Sequence, residues 1–137
     1  MNRSPQTRER RRNIADGALG LTRINVAVYA NLRSVSEPSP YTVLDALRRY
    51  AEARDWTVRP GAILCDVGPA DTPREERRVW PRLAQLIEDR QVSGLVVPAV
   101  SHLASGPTAQ ARWRNWQEQH GLFVVVLPDA LTAKDDS

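Results

Sequence analysis

The sequence contains very little cysteine, histidine or lysine, and these shortages exclude several kinds of protein. Its 137 residues include a single cysteine, Cys65, so no disulfide can form within the chain. This predicts a reducing, cytoplasmic setting. Two histidines and no cysteine pair leave too few ligands for a structural zinc site, and we predict no metal and no other cofactor.

Long apolar runs are also missing. No stretch approaches the roughly 18 apolar residues that a membrane span requires. The N-terminal segment is rich in arginine and lacks an apolar centre, which is unlike a secretory signal. With 42% hydrophobic and 26% charged residues, the composition predicts one ordinary soluble domain that does not contact a membrane.

Positive charge is concentrated at the N-terminus. Residues 1–12 carry five arginines and one glutamate, a local net charge of +4 in a chain whose total is +3, so residues 13–137 carry about −1. Such an arm can attract nucleic-acid phosphates non-specifically, although a solvated extension has the same composition. We predict a basic, flexible arm over residues 1–22. Its candidate DNA-binding residues are Arg8, Arg10, Arg11 and Arg12.

Four apolar runs alternate with helical patterns along the rest of the chain. Strands are predicted over residues 24–31, 56–65, 94–98 and 122–127, and helices over 41–54, about 81–90 and about 107–119. Ser39 and a Thr72–Glu75 capping box are predicted helix caps. The nearly continuous apolar character of the first and last runs indicates strands buried on both faces, as in a parallel sheet.

The alternation predicts an α/β domain over residues 23–128, with a small, parallel, doubly wound sheet. Its expected strand order is 2-1-3-4, with the second or fourth strand at an edge. Residues 129–137 are predicted to be a disordered acidic tail.

Several segments, taken in order, resemble the N-terminal catalytic domain of the serine recombinase (resolvase/invertase) family. The matching segments are Val28-Tyr29-Ala30, residues 44–58, Asp66, Trp80-Pro81-Arg82-Leu83 and residues 95–103. They span about residues 24–128, and their order and spacing are more specific than any single segment. The resemblance implies a resolvase-like fold and, in active members of the family, a serine that attacks a DNA phosphate.

The end of the first strand departs from the family pattern, which reads Tyr-Ala-Arg-x-Ser. In register, Asn31 stands at the arginine position and Arg33 at the nucleophile position. Ser34 lies one residue later, and Ser36 lies two residues beyond Ser34. Both serines are candidate nucleophiles, but a one-residue shift at a strand end usually turns a side chain away from the site.

The positions that hold the scissile phosphate also differ. After the third strand the family carries Asp-Arg-Leu-x-Arg, and this chain reads Ser101-His102-Leu103-Ala104-Ser105. A protonated His102 could donate a hydrogen bond to phosphate, but it does not replace two bidentate guanidiniums. Trp80 stands where the family carries an arginine before a proline. Asp66 matches an acidic position of the family and is a candidate remnant of the site.

Other features bear on partners. Family members continue into a dimerisation helix and a DNA-binding module, whereas this chain ends about nine residues after residue 128. We therefore expect other proteins to supply those functions.

Trp113 and Trp116 lean toward the same side of the last predicted helix. One is expected to pack on the sheet, and the other to be an aromatic anchor for a protein partner.

These observations favour a non-enzymatic function. The leading hypothesis is a catalytically degenerate, stand-alone resolvase-like domain that acts as an accessory or regulatory interaction module and contacts DNA non-specifically through its arm. One alternative is a truncated but active serine recombinase that cleaves and exchanges DNA strands through Ser34. The other is a domain that binds a small ligand at the carboxyl ends of the strands. No glycine-rich phosphate loop follows a strand, which argues against a P-loop or Rossmann site.

Overall fold

A computed structural model describes residues 24–34 and 39–132. In these two ranges, four strands and three helices alternate. The strands are β1 (Val26–Leu32), β2 (Ile63–Val67), β3 (Gly94–Val97) and β4 (Phe123–Val126). The helices are α1 (Pro40–Ala53), α2 (Trp80–Glu88) and α3 (Pro107–Gln119). The predicted arm, Ser36 and residues 133–137 lie outside the described residues.

The four strands form one parallel sheet in the order β2-β1-β3-β4. This confirms the predicted α/β class and the predicted strand order. Strand β1 lies inside the sheet between β2 and β3, and all seven of its residues are buried. A strand without an exposed face needs apolar side chains on both sides, which explains the run that opens the sequence pattern.

Side chains that alternate along the strands build two cores, one on each face of the sheet. On one face, Tyr29 and Leu95 pack with Leu83 of α2 and Trp113 of α3. On the other face, Val28 and Val96 pack with the buried side of α1, which is formed by Val43, Leu47 and Ala51. The sheet is therefore covered on both faces, as the sequence predicts.

Both edge strands are shorter or more exposed than their apolar runs. The run 56–65 is interrupted at its Pro60-Gly61 pair, as such a pair indicates: Pro60–Ala62 make a 3₁₀ turn, and β2 begins only at Ile63. Before that turn, Thr57 makes an isolated parallel bridge with Asn25. Strand β4 is not fully buried, since its first three residues are half-buried and Val126 is 41% exposed. Its apolar sequence therefore overstates its burial.

The predicted helix caps are confirmed only in part. Ser39 is the N-cap residue of α1, as predicted, and Pro40 begins the helix, but the Ser39 side chain makes no capping hydrogen bond. The predicted capping box at Thr72 is replaced by a 3₁₀ turn over Arg74–Glu76 that has no side-chain cap. The cap of α2 instead comes from the distant Asp66, at the end of β2.

The folded domain extends beyond the predicted boundary at residue 128. Pro128–Thr132 form a 3₁₀ turn, and Ala130 is 1% exposed in the same core as α1. Residues 129–132 are therefore part of the domain and not of an acidic tail. No helix in the described part of the chain has the length and apolar character needed to cross a membrane.

Candidate functional site

The carboxyl ends of β1, β2 and β3 bring the candidate residues together. Asn31 near the end of β1 pairs in register with Asp66 on β2. His102 lies in the 3₁₀ turn Val100–His102 that follows β3, and its ring contacts the backbone of Asn31. Open parallel sheets bind ligands at this edge. The fold therefore places three residues that are distant in sequence at the expected location of a site.

Asp66 caps a helix and is not exposed to solvent. Its side chain is buried, and the Oδ1 atom accepts a hydrogen bond from the backbone N–H of Val79 at 2.7 Å. The Oδ2 atom accepts from the backbone N–H of Trp80 at 2.9 Å and from the hydroxyl of Tyr29 at 2.7 Å. The carboxylate thus accepts hydrogen bonds from N–H groups that have no partner within α2. Its negative charge also lies at the positive end of the helix dipole, which is favourable. These bonds give Asp66 a structural role, and its role as a remnant of the site stays a prediction.

Tyr29 links Asp66 to a buried arginine. The Tyr29 hydroxyl accepts a hydrogen bond from Nη1 of Arg77 at 3.3 Å, and Arg77 is only 6% exposed. Arg77 also donates to the carbonyls of Ala70, Thr72 and His102. Burial, followed by the hydrogen bond to Asp66, raises the pKa of Tyr29, so the hydroxyl stays protonated. We call Tyr29, Asp66 and Arg77 the buried network.

His102 is held as a neutral ring. Its Nδ1 atom accepts a hydrogen bond from the backbone N–H of Asn31 at 3.0 Å, which leaves the proton of the neutral imidazole on Nε2. Burial, and then the charge of Arg77, lower the pKa of His102 below its usual range. A hydrogen bond from a protonated His102 to phosphate therefore stays a prediction, and the lowered pKa means that it requires a more acidic solution than an ordinary histidine does. Its remaining Nε2–H group is a single neutral donor.

An open cleft of about 510 Å³ lies at the same sheet edge. It is lined by Arg33, Gly68, Pro69, Ala70, Asp71 and Ser105. Arg33 stands at the nucleophile position of the family pattern and Ser105 at one of its arginine positions. Ser34 follows β1 but does not line the cleft. The cleft thus has an arginine where the resemblance implies a serine, and a serine where it implies an arginine.

Sequence reasoning did not single out Tyr29 and Arg77. A signal was present for Tyr29, because a hydroxyl within a buried apolar strand requires a hydrogen-bond partner. Arg77 gave no comparable signal, since it is one of 19 basic residues and is flanked by other charged residues. Its burial depends on the path of the loop that carries Ala70 and Thr72.

The two tryptophans of α3 have different surroundings. Trp113 is 2% exposed and contacts Trp80 with ring centroids 5.7 Å apart, so it belongs to the core and offers no partner surface. Trp116 is half-buried and contacts Trp80, Trp113 and the ring of His120. An aromatic partner surface therefore stays a prediction for Trp116 alone.

Two other chemistries find little support among the described residues. No three His, Cys, Asp or Glu side chains in these ranges are grouped as metal ligands. Burial, and then the charge of Asp66, raise the pKa of the Cys65 thiol to about 11. A thiol that remains protonated near neutral pH is a poor nucleophile.

No protein-family model and no curated protein match this chain. Solved structures match by fold. The N-terminal catalytic domain of TP901-1 integrase has a TM-score of 0.63 and 19% identity over 77% of this chain and 79% of its own. The C-terminal catalytic domain of ISC1926 TnpA, an IS607-like serine recombinase, has a TM-score of 0.61 and 18% identity over 76% and 67%. A serine recombinase from Sulfolobus solfataricus has a TM-score of 0.56 and 18% identity over 77% and 70%. The chain thus has the fold of serine recombinase catalytic domains, as the resemblance implies.

Proposed function

We propose that this domain, built on the fold of serine recombinase catalytic domains, is catalytically degenerate and acts as an accessory or regulatory interaction module. The observation that carries the proposal is the cleft, which Arg33 lines and Ser34 does not. Attack on a phosphate requires a hydroxyl in line with the leaving group and cations around the developing charge. Asn31, His102 and Ser105 stand where the family pattern supplies those cations.

The buried network supports the same proposal. Asp66 accepts hydrogen bonds from Tyr29, Val79 and Trp80, so its carboxylate is engaged within the chain. Arg77 is likewise engaged by carbonyl groups and does not replace the missing phosphate-binding arginines. The partners of both charged groups within the chain therefore explain their presence without a catalytic role.

The competing function is DNA strand cleavage by an active recombinase that uses Ser34 as the nucleophile. We expect incubation with supercoiled DNA that carries candidate sites to give no nicked product and no covalent protein–DNA adduct. Ser34→Ala and the exposed-loop control Ser101→Ala test any adduct that does form. An adduct that is lost in Ser34→Ala but not in Ser101→Ala overturns the proposal. An adduct that requires Ser36 also overturns it, and it shows that Ser36 occupies the nucleophile position.

Contact with DNA, in this proposal, comes from the arm and is non-specific. Two arginines of α1 are already paired, because Arg48 contacts Asp45 at 2.5 Å and Glu52 at 2.6 Å, and Arg49 contacts Asp45 at 3.0 Å. Deletion of residues 1–12 should abolish binding and flatten its salt dependence, since up to about five phosphate-contacting cations are removed. Binding that survives the deletion places the basic surface on the folded domain instead.

The proposal also includes a protein partner. Capture from the native cell, with the whole chain and with a chain lacking residues 1–22, separates partners of the arm from partners of the domain. A partner of the domain should be captured less well by Trp116→Ala if the half-buried indole is an anchor. Equal capture by the wild type and by Trp116→Ala would show that Trp116 is not part of the partner surface.

A second candidate function, binding of a small ligand, is favoured by the open cleft of about 510 Å³. Its volume lies within the range typical of small-molecule sites, and it opens at the carboxyl edge of the sheet. Saturable binding of a small molecule by the whole chain, without DNA or protein, distinguishes this function from the interaction module.

A further inference from the structure

A narrower cavity of about 120 Å³ adjoins the cleft and is bordered by three arginines. Arg74 and Arg77 come from the segment before α2, and Arg112 comes from α3. The cavity shares Ala70, Asp71 and Ser105 with the larger cleft, so the two spaces lie next to each other. The guanidinium groups therefore border the smaller space, beside the cleft.

Arg74 is held in place before any ligand binds. Its Nη1 atom donates to the carbonyl of Leu103 at 3.1 Å. Its guanidinium lies 5.0 Å from the ring centroid of Trp113 and 5.5 Å from that of Trp80. Stacking on two indoles restricts the side chain, so it loses little conformational entropy on meeting an anion. The bond to Leu103 also uses only one of five N–H groups.

The arginines around the cavity are not neutralised by ion pairs in the described part of the chain. Asp71 and Glu75 line the same space, but neither forms a salt bridge there with Arg74 or Arg112. Burial lowers the pKa of Arg74; among the charges, Glu75 raises it most, and Arg77 and then Arg112 lower it. An oxyanion beside Arg74 and Arg112 would offset the repulsion between these two guanidiniums.

We propose that Arg74 and Arg112 clamp the phosphate group of a small phosphorylated molecule in this cavity. Guanidinium groups suit the oxygens of phosphate, and the exposed Ser105 offers a hydroxyl beside them. The rest of the molecule lies in the larger cleft, where Arg33 meets any second anionic group. A small molecule fits better than duplex DNA, since the cavity has a volume of only about 120 Å³.

This inference gives a ligand class to the second candidate function and rests on it. The interaction-module proposal is tested separately, by adduct formation and partner capture. Arg74 and Arg112 also lie outside the positions that the family pattern uses for the scissile phosphate. The clamp therefore does not imply recombinase activity.

The test is calorimetric titration of the whole chain with inorganic phosphate and with pyrophosphate, at constant ionic strength maintained with chloride. We expect saturable binding that Arg112→Gln weakens about tenfold, the loss typical of a charge-assisted hydrogen bond. Arg114→Gln is the matched control, because Arg114 is exposed on the same helix and does not line the cavity. Arg74→Lys keeps the charge but loses the planar fork, and it should also bind about tenfold more weakly.

Unfolding in urea confirms that each variant is folded before its affinity is compared. Binding that does not saturate, or that falls equally in Arg112→Gln and Arg114→Gln, overturns the clamp.

A short single-stranded oligonucleotide provides the second arm of the experiment. Its binding should be insensitive to Arg112→Gln. If the oligonucleotide requires Arg112 while phosphate and pyrophosphate do not bind, the small-molecule clamp is wrong and the arginines serve nucleic acid.

Discussion

The buried network and the cleft meet at the same sheet edge, yet their polar groups are used in opposite ways. In the network, the charged groups of Asp66 and Arg77 both find hydrogen-bond partners within the chain. In the cleft, Arg33 and Ser105 face open space. Residues that hold this edge together are therefore distinct from residues that could meet a ligand there. The first set is buried and needs partners within the chain, whereas the second set is exposed and does not.

The largest expected effect comes from breaking the network at Asp66. Asp66→Ala leaves two backbone N–H groups and the Tyr29 hydroxyl without their acceptor. We expect the free energy of unfolding to fall by about 5 kcal/mol, since each of the three donors left without an acceptor costs about 1–3 kcal/mol. Urea unfolding followed by circular dichroism measures the loss.

Asp71→Ala is the matched control, since Asp71 is exposed and lines the cleft. It should change the unfolding free energy by no more than about 0.5 kcal/mol, as for an ordinary surface substitution. Similar losses in both variants would contradict the contrast between network and cleft. Asp66→Asn should lie between them, because its amide oxygen can still accept a hydrogen bond.

Most of the fold was accessible from sequence, and the misplaced elements have physical causes. The run at β1 predicts a central strand because burial on both faces demands apolar residues throughout. The apolar run at β4 predicts the same burial, but Val126 is exposed because no fifth strand covers that edge among the described residues. The predicted strand order already placed the fourth strand at an edge, so it was the apolar run taken alone that overstated its burial.

The candidate site was accessible only in part. Asn31, Asp66 and His102 could be assigned to this sheet edge from sequence because each lies at or soon after the carboxyl end of a predicted strand. Their roles depend on tertiary partners, such as the N–H of Asn31 that fixes the tautomer of His102. Arg74 and Arg77 resemble any other arginine in an arginine-rich chain, so their burial and their partners required the structure.

Within helix α3, a buried and a half-buried tryptophan should differ in their effects on stability. Trp113→Ala should lower the unfolding free energy by about 3–4 kcal/mol, because it empties a core position that touches Trp80. Trp116→Ala should lower it by about 1 kcal/mol, because that indole is only half-buried. Urea unfolding of both variants, with Trp113→Phe as a control, measures the difference. Equal losses would place both indoles in the core.

The smallest expected effect is a dependence of stability on pH through His102. Its pKa in the folded protein is lowered from the usual 6.5, so the folded state binds a proton less readily than the unfolded chain. The stability contributed by His102 is therefore fully present above pH 6.5 and is lost as the pH falls below that value toward the folded-state pKa. Protonation at Nδ1 would also remove the acceptor of the Asn31 N–H group.

The measurement compares the wild type with His102→Asn, whose side-chain oxygen can accept the same hydrogen bond without titrating. Urea unfolding from about pH 7.5 to about pH 5 should show the wild type losing more stability on acidification than the variant. Parallel curves for the two proteins would show that His102 titrates normally and is not held by the sheet edge.

The aromatic packing beneath Arg74 has a consequence for how this domain is observed in solution. The ring centroids of Trp80, Trp113 and Trp116 lie 5.5–5.9 Å apart, whereas Trp56 packs on the opposite face against Phe123. Indoles this close share electronic excitation, so their coupled transitions add an exciton couplet to the far-ultraviolet circular dichroism spectrum. Helix content calculated from that spectrum will be distorted, and the part of the couplet that involves Trp80 will be lost when α2 separates from α3, whereas the Trp113–Trp116 contact lies within α3.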